Sequence, residues 1–330
     1  MTVPDLPGMS VPGDEPTRLA VLGSPIGHSQ SPLLHAAAYR ELGLSTWQYE
    51  RVEVTEATLA DFIQSRDASW RGLSLTMPLK RAIVPLVDAV DDVVVLTGAA
   101  NTVRLWPDRT RSAYNTDVAG IVAALTEAGV ARIKRGLIIG AGATAASALV
   151  ALARMGARHV TVLVRRPGAE GGLIELGRRV GVDVSGRPIS ALGERSGFAE
   201  SAVPGGLEGA ALGGFVEGAV PGDSCASGGE VWMPPPPPEV VISTVPGDAQ
   251  LGVIPHPHLV TAATLLDVTY APWPTPLAAQ WQAGGGEIVP GRAMLLHQAV
   301  AQVRIFLHGD AGVSLPGEAR VLAAMRHAVT

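Results

Sequence analysis

The chain has 330 residues, 47% of them hydrophobic, and a formal net charge of −5. Its length and apolar content predict two domains with sizeable cores, and its acidic balance argues against a nucleic acid or an anionic membrane as partner. A single cysteine, Cys225, excludes an intrachain disulfide framework and fits a reducing, cytoplasmic compartment.

Residues 1–17 are rich in Pro and Gly, carry neither a basic nor an apolar signal-peptide region, and read as a flexible tail. Residues 19–23 read as a buried strand. Ser31 and Pro32 then predict a helix with Ser at the N-cap and Pro at the first helical position, running to about residue 42 and stopped by Gly43. Residues 47–54 read as a strand, 58–64 as a helix, 71–76 as a strand broken by Pro78, and 100–105 as a further strand. This alternation predicts an α/β domain with a mostly parallel sheet.

From Gly136 the pattern restarts: a strand at 137–139, a turn at 140–145, an alanine-rich helix at 145–155 ended by Gly156, and a strand at 159–164. This is a βαβ unit, so a second α/β domain is predicted to begin near residue 120. Residues 136–153 carry no charge, yet the glycines in their first half favour a strand, turn and helix over a membrane span. Strands are further expected at 182–184, 240–243 and 264–268, and helical periodicity runs through 293–308 and 317–329. Between them, residues 191–239 are rich in Gly, Pro, Ser and Ala, end in Pro234 to Pro238, and read as a solvated surface insertion holding an inert Cys225.

Three patterns carry chemistry. Gly140-Ala141-Gly142-Ala143-Thr144-Ala145 matches G-x-G-x-x-A between a strand and a helix, where a tight turn and a helix N-terminus receive a pyrophosphate. The strand that follows ends in Arg165 and Arg166, with no acid before Glu170. Paired guanidinium groups suit a ribose 2′-phosphate, so NADP is the expected cofactor. Secondly, only two of the 25 Lys and Arg residues are lysines, Lys80 and Lys134. Arginine replaces lysine where a solvated charge suffices, but not where a compact ammonium must exchange a proton. Lys80, just beyond Thr76, is therefore a candidate for catalysis. Thirdly, polar groups close several apolar runs: Ser29 and Ser31 in the loop 23–32, Asn101 in 98–102, and Asp117 in Asn115-Thr116-Asp117. His256 and His258 stand two apart but lack nearby carboxylates, which favours a loop over a metal site. His28 reads as a loop-positioning residue.

In the order and spacing of these motifs the chain resembles the shikimate dehydrogenase family. SPIGHSQSPLLH, SLTMPLK, GAANTV, YNTD, GAGATA, DVTYAPWPTPL and GRAMLLHQA follow one another from about residue 19 to 306. The resemblance implies reversible, NADPH-dependent reduction of 3-dehydroshikimate to shikimate on the chorismate route to aromatic amino acids. It implies a substrate domain of residues 1–118 plus 290–330 and a Rossmann-type NADP domain of 119–289. Lys80 and Asp117 would be the catalytic pair. Ser29, Ser31 and Tyr270 would face the substrate carboxylate, and Thr76, Asn101 and Gln298 its ring hydroxyls. Gly140, Gly142, Ala143, Ala145, Arg165 and Arg166 would hold the cofactor phosphates, with Thr244, Gly291 and Met294 near the nicotinamide. A metal is not implied, and the protein would be a monomer or homodimer. The chain departs from the family pattern at Ser74, at Arg165-Arg166-Pro167, at Ser243 and in the 191–239 segment. Two other readings remain: a relative preferring NAD and quinate, and a catalytically silent NADP-binding regulator.

Overall fold

A computed structural model describes residues 16–193 and 236–329. In chain order the elements are β1 (Thr17–Gly23), α1 (Ser31–Glu41), β2 (Trp47–Glu53), α2 (Glu56–Gln64), β3 (Trp70–Leu75), α3 (Leu79–Ala82), β4 (Ala89–Val90), α4 (Asp92–Thr97), β5 (Thr102–Leu105), β6 (Arg111–Tyr114) and α5 (Asp117–Glu127). They continue as β7 (Arg135–Ile139), α6 (Ala143–Arg154), β8 (His159–Val164), α7 (Gly171–Val180), β9 (Asp183–Pro188), β10 (Val240–Ser243), α8 (Pro257–Ala262), β11 (Thr264–Asp267), α9 (Pro276–Ala283), β12 (Ile288–Pro290), α10 (Gly291–His308) and α11 (Glu318–His327).

The first sheet has the order β2-β1-β3-β5-β6-β4. β1 runs parallel to β2 and β3, whereas β5 is antiparallel to both β3 and β6. A hairpin through residues 106–110 can return the chain without a crossover helix, which is why this half of the sheet is mixed. One face packs Leu19 against Leu34 of α1, Phe306 of α10 and Val321 of α11, and the other packs Leu22 and Leu73 against Leu59 and Leu79.

The second sheet has the order β12-β11-β10-β7-β8-β9, every pairing parallel. This is the doubly wound dinucleotide-binding topology, and its strand order reverses between β7 and β10, where such sheets bind ligands. The uncharged run 136–153 is β7 plus α6, as its glycines predict. α6 fits closely because much of its buried face is alanine: Ala145, Ala148 and Ala151 have no exposed surface, beside the larger Leu149 and Leu152. Among the described residues, no helix is long and apolar enough to cross a membrane.

Some sequence expectations are corrected. Ser31 is not the N-cap of α1; Gln30 is, with no side-chain cap, and Ser31 is the first helical residue. The loop before it is drawn tight by the Ser29 N–H donating to the Ile26 carbonyl at 3.0 Å, so Ser31 turns inward and is buried. The irregular 191–239 segment is shorter at both ends, because Ala191 and Leu192 are buried in the second core and the Glu239 N–H donates to the Arg135 carbonyl. Cys225, Pro234 and most of that segment lie outside the described residues, as does most of the 1–17 tail. The His256-Pro257-His258 run is the start of α8 rather than a plain loop: His256 Nδ1 accepts from the His258 N–H at 3.1 Å.

Candidate functional site

The carboxyl ends of β1 and β3 in the first sheet face the switch point of the second, and a cavity of about 170 Å³ lies between them. It is lined by Ser29, Ser31, Thr76, Lys80, Asn101 and Asp117 from the first half of the chain, and by Tyr270, Gly291, Met294 and Gln298 from the last quarter. Every substrate-side residue expected from sequence is therefore present in one wall or another. A larger cleft of about 260 Å³ opens at the opposite end of the first sheet and contains none of them.

Lys80 reaches the cavity from the start of α3, directly after β3. Its Nζ donates to Asp117 Oδ2 at 2.5 Å and contacts Thr144 Oγ1 at 3.4 Å. The pair is largely withdrawn from water, the side chains being 15% and 5% exposed. Asp117 is the first residue of α5, where a negative charge also meets the positive end of the helix. Its second oxygen accepts from Asn101 Nδ2 at 2.9 Å, and its N–H donates to Asn115 Oδ1 at 3.0 Å. The carboxylate is thus held by Lys80 and Asn101 and its backbone by Asn115, and the ammonium lines the cavity.

Asn101 links this pair to the opposite wall, with Gln298 Oε1 3.1 Å and Thr116 Oγ1 2.9 Å from its Nδ2. Ser29 is fixed by Arg51, whose Nε donates to the Ser29 carbonyl at 2.7 Å, and its hydroxyl accepts from the Ser31 N–H at 3.4 Å. Burial raises the Tyr270 phenol above its ordinary value, so it stays a neutral donor. Ser31 is buried in the lining of the same cavity. Three hydroxyls thus converge on one side of the cavity and the Lys80–Asp117 pair closes the other.

Sequence reasoning missed a second layer behind the site. Gln302 is buried, donates from Nε2 to the Asn101 carbonyl and Thr102 Oγ1, and accepts at Oε1 from Ser74 and His35. Tyr49 donates to Ser74 Oγ at 2.6 Å and stacks on His35 with ring centroids 3.9 Å apart. The available signal was spacing: Met294, Gln298 and Gln302 recur every four residues on α10, so two amides lie on one otherwise apolar stripe. Ser74, noted as a departure, is short enough to leave room for the Tyr49 hydroxyl.

On the cofactor side, Gly140 has φ +106°, and its N–H donates to the Leu163 carbonyl at 3.0 Å. A Cβ there would stand 2.6 Å from Thr244 Oγ1. Gly142 caps α6 without any side-chain cap bond, and a Cβ on it would meet nothing within 4 Å. Open backbone before an uncapped helix N-terminus, with buried Ala145 allowing α6 to approach β7, fits a pyrophosphate. Thr244 follows β10 and neighbours Gly140 at the switch point. Ala143 begins α6, and exposed Arg165 and Arg166 follow β8, the strand beside β7. Gly291 is required where it stands: a Cβ would lie 2.5 Å from the Val268 carbonyl oxygen and 2.6 Å from that of Thr269.

A family model described as "Shikimate dehydrogenase substrate binding domain" matches residues 21–103. The shikimate dehydrogenase (NADP(+)) of Rubrobacter xylanophilus is 36% identical over 196 residues, covering 58% of this chain and 69% of that protein. The pentafunctional AROM polypeptide of Saccharomyces cerevisiae is 30% identical over 307 residues, which are 89% of this chain but 17% of that polypeptide. The crystal structure of Mycobacterium tuberculosis shikimate dehydrogenase superposes with a TM-score of 0.72 at 34% identity, covering 94% of this chain and all of that one. Identity at this level over the whole length of a solved relative places the chain in the shikimate dehydrogenase family.

Proposed function

We propose that the chain interconverts 3-dehydroshikimate and shikimate with NADPH as reductant, as the family membership and the names of its relatives indicate. The observation that carries the residue assignment is the Lys80–Asp117 pair, 2.5 Å apart at the edge of a cavity walled by hydroxyls and amides. When bound, NADPH supplies the hydride that reduces the substrate ketone.

Reduction leaves negative charge on the carbonyl oxygen. The Lys80 ammonium stabilises that charge and delivers the proton that completes the alcohol; water then restores the lysine proton. Asp117 orients the ammonium, and Asn101 and the Asn115 side chain hold Asp117. Ser29, Ser31 and Tyr270 receive the substrate carboxylate, a role suited to neutral donors because they add no charge that would compete with Lys80. Thr76, Asn101 and Gln298 take the ring hydroxyls and set the ring's orientation. Gly140, Gly142, Ala143 and Ala145 admit the pyrophosphate, Arg165 and Arg166 the 2′-phosphate, and Thr244, Gly291 and Met294 border the nicotinamide.

The same reading assigns residues 1–118 and 290–330 to a substrate-binding unit and 119–289 to a dinucleotide-binding unit. In its support, the first sheet draws its strands from 17–114 and the second from 135–290. A reducing cytoplasm is the compartment that suits an NADPH-consuming chain with one cysteine. Purified protein assayed for shikimate oxidation with NADP and NAD in parallel, and for quinate oxidation, tests the function. Turnover of shikimate with NADP is expected to exceed the others; equal turnover with NAD and quinate would refute the assignment of substrate and cofactor, and no shikimate oxidation would favour a silent regulator.

A further inference from the structure

The larger cleft, about 260 Å³, sits at the amino ends of β1 and β3 and is unlike the rest of this acidic chain. Its lining contains Arg66, Arg71, Arg104, Arg109 and Arg111 against one acid, Asp67. Asp67 is occupied by Ser69, whose N–H and hydroxyl both donate to Oδ1. Arg111 has a carboxylate neighbour, Asp88 at 3.7 Å. Among the described residues, the other four arginines form no ion pair, although Arg66 and Asp67 attract each other at longer range; Arg66 and Arg71 donate to backbone carbonyls.

Two of the four are held at a cost. Arg104 is 4% exposed, donates to the Arg71 carbonyl at 3.0 Å, and has a buried Nε with no partner. Burial, then the charge of Arg71, pull it down to about 9. A buried cation without a counter-ion is unfavourable unless something else compensates. Arg109 is the only non-glycine residue with positive φ among those described, at +71°. It sits in the turn between β5 and β6, where Asp108 accepts from the Thr110 N–H and hydroxyl. That left-handed position normally takes glycine, and arginine there presents a charged group at the cleft instead.

We propose that this cleft is a binding site for a small, multiply charged oxyanion, of the phosphate-ester or the di- and tricarboxylate class, separate from the catalytic cavity. Guanidinium groups pair with such anions through two parallel hydrogen bonds. A bound anion supplies the counter-charge that Arg71, Arg104 and Arg109 lack. The cleft and the catalytic cavity occupy opposite ends of the same strands, Thr17 and Trp70 bordering one, Leu75 and Thr76 the other. A strand of this length separates them by about 20 Å. Arg71 also donates to the Phe306 and Leu307 carbonyls at the end of α10, the helix that carries Gln298 into the catalytic cavity.

Isothermal titration at low ionic strength of the protein saturated with NADP, so that the nucleotide site is filled, with pyrophosphate in one arm and citrate in the other, tests the site. One-to-one binding of at least one probe is expected, and the tighter probe identifies the ligand's class. Arg109→Gly is expected to weaken binding about tenfold, the loss of one charge-assisted contact, while the melting temperature of the free protein stays level or rises, because glycine suits that backbone. Arg104→Met is expected to weaken binding as well, and Arg166→Ala, at the nucleotide site, to leave it unchanged. Absence of saturable binding by either probe below about 10 mM, wild-type affinity in Arg109→Gly, or loss of binding in Arg166→Ala instead would overturn the proposal.

Discussion

His35 makes the stability of the catalytic cavity's support depend on pH. It has no exposed surface; the Tyr39 hydroxyl lies 3.0 Å from Nδ1, and Nε2 donates to Gln302 Oε1 at 3.2 Å. That pattern uses the neutral imidazole fully, one nitrogen donating and the other accepting. Burial pulls His35 down from 6.5 to about 3. Above pH 6.5 the imidazole is neutral in both folded and unfolded chains, and its contribution is fully present. As pH falls from 6.5 towards 3 the unfolded chain gains a proton that the folded one refuses, so stability is lost. The slope is roughly 1.4 kcal/mol per pH unit, which amounts to about 2 kcal/mol between pH 7 and pH 5. His35→Gln keeps a hydrogen-bonding side chain and removes the titration. Urea unfolding of both proteins at pH 7 and pH 5 measures the difference: the wild type should lose about 2 kcal/mol more than the variant over that interval. Equal losses would show that His35 is not held neutral and would refute the reasoning.

Lys80→Ala is expected to lower kcat by about 10²–10⁴ while NADPH affinity, read by fluorescence titration, stays nearly intact; near-normal kcat would remove Lys80 from the mechanism. Arg166→Ala should raise KM for NADPH about tenfold and leave KM for NADH unchanged, and equal effects on both would mean that it does not meet the 2′-phosphate. Gly291→Ala should destabilise the protein by about 1–3 kcal/mol, seen as a lower Tm, because backbone carbonyls rather than flexible side chains meet the new Cβ.

The nucleotide half was legible because local rules governed it. Gly140 and Gly142 mark a turn whatever surrounds them, and a strand, an alanine-rich helix and a second strand complete a βαβ unit with one usual handedness. The first half was less so. Residues 89–90 and 111–114 are short strands that exist because neighbours pair with them, and no periodicity spans two to four residues. Ser31 looked like a cap because Ser-Pro commonly opens helices; its inward turn follows from the loop drawn tight by the Ile26–Ser29 bond. No motif singles out the supporting residues His35, Tyr49 and Gln302, since burial of a polar side chain is set by partners distant in sequence.

Lys80, rare in a chain that otherwise uses arginine, could be singled out from composition and motif alone, as could Asp117, the glycine-rich turn and the Arg165-Arg166 pair. Each is a local pattern: an end of an apolar run, a turn, a helix start. What only the tertiary structure decided is that Lys80 and Asp117 meet at 2.5 Å, that Tyr270 and Gln298 complete a wall begun by Ser29 more than 240 positions earlier, and that five arginines gather at the far end of the sheet. Those arrangements depend on sheet order and on helix α10 crossing back to the first sheet, and long-range contacts of that kind follow from the packing of whole elements rather than from the residues on either side.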